Sequence, residues 1–92
     1  MLLNVDVTQA DIDGGVRNSC TQCPIATAAR RATGVPRLNF VYVYRTGIDI
    51  WNGPRRSHQF ILPSIALGFM ARFDRGKPVE PFSFQVEERG AE

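Results

Sequence analysis

Both cysteines of the chain fall in one stretch, Ser19-Cys20-Thr21-Gln22-Cys23-Pro24-Ile25-Ala26, three positions apart at an expected helix start. Three chemistries fit that spacing. A redox dithiol would use the helix N-terminus, whose free N–H groups and dipole stabilise a thiolate and depress its pKa. A thioredoxin-like site, however, needs a strand that delivers the motif directly, and here residues 9 to 18 intervene. A zinc site would take the two thiolates as half of a set of four ligands. His58 is the only other soft candidate and leaves one chain with three ligands, so four thiolates would require two from each chain of a symmetric homodimer. In the third reading the thiols are structural: Cys20 packs under the helix, and Cys23 caps it or packs beside it, both acting as small apolar side chains. This reading is preferred because cysteine is among the residues most often buried. It expects no cofactor, with zinc as the alternative.

Trp51, Arg55, Arg56 and His58 surround an expected turn at Asn52-Gly53-Pro54. Guanidinium forks match oxyanions, and an aromatic face stacks on a base or packs against a protein. This tip is therefore the candidate binding surface, set against the plainer reading of a solvated hairpin end. His58 has no acid pair and no nucleophile beside it other than a thiol, so no catalytic role is assigned. No phosphate loop, HExxH, nucleophile elbow or glycosidase-type acid pair is present, which favours a non-enzymatic protein. NFVYVYR (39–45) invites comparison with the RNA-recognition strand, but Leu38 and Asn39 stand where that motif wants a basic residue and a glycine. Its expected companion strand LLNVDV also lacks aromatics, so packing within the sheet is the better reading.

The elements that position these residues follow from periodicity. Leu3, Val5 and Val7 alternate with Asn4, Asp6 and Thr8 as in a half-buried strand. Thr8 and Asp11 have capping-box spacing for a short helical turn over residues 9 to 13. The second helix starts either at Ser19, with Gln22 three residues on, or near Cys23, with Pro24 in the first turn. Its inner face is Ile25, Ala28, Ala29 and Ala32, with Arg30 and Arg31 on the solvent side and Gly34 and Pro36 ending it. LNFVYVYR (38–45) reads as a strand apolar on both faces and hence central, followed by two more strands in a meander. Ile65, Ala66, Phe69, Met70 and Phe73 make one apolar helical stripe, and Phe82, Phe84 and Val86 alternate in a last strand. Asp74 lies at a helix C-terminus, which disfavours a carboxylate, so a hydrogen bond or ion pair to a nearby arginine such as Arg17 or Arg72 is expected to offset this.

The expected fold is thus α+β: a single domain over residues 1–92 with a frayed tail at 88–92. A mainly antiparallel sheet, in the order strand, helix, three strands, helix, strand, carries its helices on one face. Ninety-two residues with 43% hydrophobic and 22% charged content support one globular core and rule out a disordered chain. The net charge of +2 is too small to argue nucleic-acid binding by itself, although every basic residue except Lys77 is arginine. The opening MLLNVDV is strand-like and has neither a signal peptide's basic and apolar regions nor a membrane span, so a cytoplasmic location and no membrane partner are expected.

DIDGGVRNSCTQCPIATAARRA (11–32) and FMARFDRGKPVEPFSFQVE (69–87) together are similar to small proteins encoded by phages and prophages of actinobacteria. The recurring features are Gly15, Arg17, Cys20, Cys23, Pro24 and Ala26 in the first stretch. In the second they are Phe73, Asp74, Gly76, Pro81, Phe82 and Phe84. Residues 37–62 lie outside the resemblance, which carries over no catalytic residue. It implies the cytoplasm of an infected bacterium and an accessory role on a host protein or other host macromolecule. The alternatives are nucleic-acid binding through the Trp51, Arg55, Arg56 and His58 tip, and thiol-redox or zinc chemistry at Cys20 and Cys23.

Overall fold

Period-two alternation at the two ends of the chain makes a pair of strands, β1 (Leu2–Val7) and β5 (Phe82–Glu87). They run antiparallel, with Leu3 opposite Val86, Val5 opposite Phe84 and Val7 opposite Phe82. These side chains share the covered face, while Asn4, Asp6, Ser83 and Gln85 share the solvated one. The computed structural model describes residues 2–34, 39–52 and 55–88, and of residues 39–40, 52 and 55–57 it describes the backbone alone.

Between the terminal strands come α1 (Gln9–Gly14), α2 (Pro24–Thr33), β2 (Asn39–Val43), β3 (Gly47–Asn52), β4 (Arg55–Ile61) and α3 (Ser64–Asp74). Helices packed on antiparallel sheets define the α+β class. The sheet is divided, however, into the pair β1-β5 and a three-stranded meander in the order β2-β3-β4. Among the described residues an antiparallel bridge between Phe60 and Glu88 joins β4 to the end of β5. Glu88 is thus held, and only residues 89–92 of the expected frayed tail lie outside the described residues. The expected turn residues Gly53 and Pro54 also lie outside them. Strand β3 is central and β2 is an edge, contrary to the reading of β2 as central. Its apolar composition serves two different surfaces: Val41 and Val43 enter the core, and the tyrosines face away.

The helices cover the core faces of both sheets. Ile25, Ala26, Ala28 and Ala29 of α2 join one cluster with Val5, Val41, Ile48, Ile50 and Phe60. Small side chains let this helix approach closely, and Gly34, in the left-handed region at φ 65°, ends it. Ala32, expected on the inner face, is exposed. In α3 the residues at i, i+3 and i+7, Ala66, Phe69 and Phe73, are buried, and Met70 is half-buried. Ile65, expected in that stripe, is 58% exposed because it lies one residue, about 100° of helical rotation, from Ala66. Phe69 stacks on Phe73 at 6.1 Å and meets Phe82 at 4.7 Å, so a run of rings ties α3 to β5.

Thr8 caps α1 with the expected capping box: its hydroxyl accepts the Asp11 N–H and the Asp11 carboxylate accepts the Thr8 N–H. Arg31 lies on the solvent side as expected, with a side chain 51% exposed, and it also reaches back toward α1. It donates to both carboxylate oxygens of buried Asp11 at 2.9 and 2.7 Å, and to the Asp6 carbonyl at 2.8 Å. The bidentate bond, opposed by burial and aided by Thr8, lowers the Asp11 pKa from 3.8 to about 2. One guanidinium thus fixes α1, α2 and β1 together. The Cα radius of gyration, 12.3 Å, is that of one domain of this length, about 12 Å. No helix among the described residues is long and apolar enough to cross a membrane.

Candidate interaction surface

The two cysteines have different environments. Pro24 occupies the first turn of α2 and leaves Cys23 as its N-cap, where Sγ accepts the Ala26 N–H at 3.4 Å. Cys23 is buried, and burial raises its thiol pKa, partly offset by hydrogen bonds from the Ala26 and Ile25 N–H groups. Such a thiol is a weak nucleophile. Cys20, expected beneath the helix, is exposed; its carbonyl accepts the Val43 N–H at 2.7 Å and so closes part of the free edge of β2. The other candidate helix start is a turn in which the Ser19 hydroxyl accepts the Gln22 N–H. Both cysteines are free thiols, and no group of three or more His, Cys, Asp or Glu placed for a metal occurs among the described residues.

Residues 15–18, before α2, meet the end of α3 in space. Asp74 is held by the Asn18 backbone N–H at 2.9 Å, where an arginine partner was one expectation. Asn18 reaches it by adopting φ 58°. The Arg17 guanidinium lies over Gly76, whose φ of 74° and lack of a side chain leave it room. Gly15 packs on Pro24 so closely that an added Cβ would sit 2.7 Å from the ring. These residues dock the loop before α2 onto the end of α3.

The expected tip does not come together as one cluster. β4 carries an extra residue at Ser57, so Ile50 pairs with His58 while Trp51 pairs with Arg56. β3 keeps its alternation, and this places His58 on the core-side face with Ile50 and Phe60, and Trp51 on the opposite face. His58 Nδ1 lies 2.6 Å from Glu88 Oε2, beside the bridge that joins the sheets, and this contact is the main cause of a lowered Glu88 pKa. Arg55 and Arg56 are β4 residues whose side chains lie outside the described set.

The face shared by Trp51 is the side of the meander opposite the core cluster of Val41, Val43, Ile48 and Ile50. Tyr42 and Tyr44 lie on it with ring centroids 6.2 Å apart and planes within 11°. Across from Tyr42 stands Asp49, only 8% exposed. Partial burial first, then the negative charge of Asp49, then Cys20 and Tyr42, raise the Tyr44 pKa. The Trp51 indole N–H is enclosed and has no acceptor among the described residues. Two tyrosines and the chain's one tryptophan thus share the sheet face opposite the core, with Tyr44 exposed and Tyr42 and Trp51 half-buried. The strict order Val-Tyr-Val-Tyr in residues 41–44 was the sequence signal for it.

No family model, curated protein or solved structure matches the chain.

Proposed function

We propose that this chain is a small, non-enzymatic, phage-encoded binding module that acts on a host protein through the face of β2-β3-β4 opposite the core. The observation that carries the reading is the aromatic lining of that face by Tyr42, Tyr44 and Trp51, with an indole N–H that has no acceptor among the described residues. Tyrosine and tryptophan dominate protein contacts because they offer large, stiff apolar area with a polar end. The expected contact residue Trp51 belongs to this surface, whereas His58 serves the seam between the sheets.

The test is capture from an actinobacterial lysate with the wild-type chain and with a folded Tyr42→Ser/Tyr44→Ser variant, each with and without nuclease. A discrete protein retained after nuclease by the wild type, and lost with the variant, is the expected result. Retention that nuclease abolishes would replace the protein partner by nucleic acid. Equal retention by both chains would remove the aromatic face from the contact.

A further inference from the structure

We propose that a second surface, the groove between the outer flank of α3 and the β2–β3 turn, binds an acidic amphipathic helix. Leu67, Met70, Ala71, Asp74 and Arg75 recur at i, i+3, i+4, i+7 and i+8, a stripe of α3 distinct from the core stripe of Ala66, Phe69 and Phe73. The turn at Arg45 and Thr46 forms the facing wall, Asn18 closes one end, and the groove measures about 850 Å³.

The floor is apolar and adaptable. Leu67 is 38% exposed, and the flexible thioether of Met70 fits partners of varied shape. A straight apolar stripe on a helix is the surface against which a second helix packs through its own i, i+3, i+4 and i+7 side chains.

Charge decides which helix. Arg45 and Arg75 line the groove, and Arg17, over Gly76, and Lys77 stand at the same end of α3. None of these four cations has a carboxylate within ion-pair distance among the described residues, where the pairs are Arg31 with Asp11 and His58 with Glu88. The one acid in the groove, Asp74, already accepts the Asn18 N–H. The carbonyls at the end of α3 are likewise taken, since the Arg75, Gly76 and Lys77 N–H groups bond back to residues 71–73, so the negative end of that helix is blunted. What remains is an apolar floor with an unneutralised arginine rim, complementary to Leu and Glu on one helical face. No aromatic side chain lines this groove for a base to stack on, which favours a peptide over a nucleic acid.

The probe is a fluorescent peptide of roughly 16 residues with Leu at i, i+3, i+4 and i+7 and Glu between them, titrated into the full chain by anisotropy. Saturable, salt-sensitive binding is expected, weakened about tenfold by Arg45→Glu/Arg75→Glu and by Leu67→Gln. All three side chains are exposed, so the variants should melt like the wild type. A peptide with Lys in place of Glu should bind the double-Glu variant better than the wild type, and Tyr42→Ser/Tyr44→Ser should leave binding unchanged. The proposal is overturned by absence of saturable binding, by binding that these variants do not alter, or by tighter binding of an oligothymidine of equal length. It is equally overturned if sedimentation shows a dimer that Leu67→Gln dissociates, because a second copy would then occupy the groove.

Discussion

Replacing Arg31 by Met keeps the length and helix propensity of the side chain and removes its charge, leaving the Asp11 carboxylate with the Thr8 N–H. The structure sets the size of the effect. A carboxyl held at about 2 in the fold against 3.8 outside it corresponds to about 2.4 kcal/mol of linkage at neutral pH. The Arg31 side chain is 51% exposed, so solvent screening reduces the pair itself to about 1 to 2 kcal/mol. Against this, the Asp11 side chain is only 4% exposed, and stranding its charge adds back about 1 kcal/mol, for a total near 2 to 3 kcal/mol. Urea unfolding of both proteins across acid and neutral pH is the assay. A depressed carboxyl pKa contributes stability that is present above the unfolded value and lost as pH falls through the folded one. The difference between the two proteins should therefore be full near neutrality, shrink below pH 3.8 and largely vanish at about pH 2. A difference independent of pH would mean that Arg31 acts through packing alone. Equal stability at neutral pH would refute the link between α1, α2 and β1.

Phe69→Ala removes a ring stacked on Phe73 and packed on Phe82, and should cost about 3 to 5 kcal/mol by thermal or urea unfolding. In the folded protein Cys20 should label rapidly with a maleimide and Cys23 only on unfolding, as peptide mapping after timed labelling would reveal. Cys23→Ala should lose about 1 kcal/mol, because the Ala26 N–H loses its acceptor. Cys23→Ser should lose less, since serine caps a helix well. Gly15→Ala should destabilise by about 1 to 3 kcal/mol, because its methyl would meet the Pro24 ring at 2.7 Å; a neutral result would show that the loop before α2 yields readily.

The sequence made legible what depends on near neighbours. Strands β1 and β5 follow from strict alternation, and the α1 cap follows from Thr8 and Asp11 at capping-box spacing. What depends on distant partners was hidden. Arg31 is solvent-side as its pattern implies, but its pairing with Asp11 is not legible, because Asp11 stands twenty positions away and only the placement of α1 beside α2 brings them together. Asp74 was expected to need a partner, but a backbone N–H of a left-handed Asn18 cannot be read from side-chain types. An apolar strand looks alike at the edge and the centre of a sheet, so composition alone does not place β2, although core and sheet-face packing describes Val41, Val43 and the stacked Tyr42 and Tyr44. Residue spacing also grouped Trp51 with His58, whereas one extra residue in β4 sends them to opposite faces.

The central claim concerns which face meets the partner, and site-specific photo-crosslinking addresses it most directly. A benzophenone amino acid is placed at exposed Tyr44 on the aromatic face of the meander, or at exposed Gln85 on the solvated face of β1-β5. Each chain is then irradiated in actinobacterial lysate treated with nuclease. A discrete protein adduct is expected from position 44 and none from position 85. An adduct from position 85 alone, or the same adduct from both, would contradict the claim.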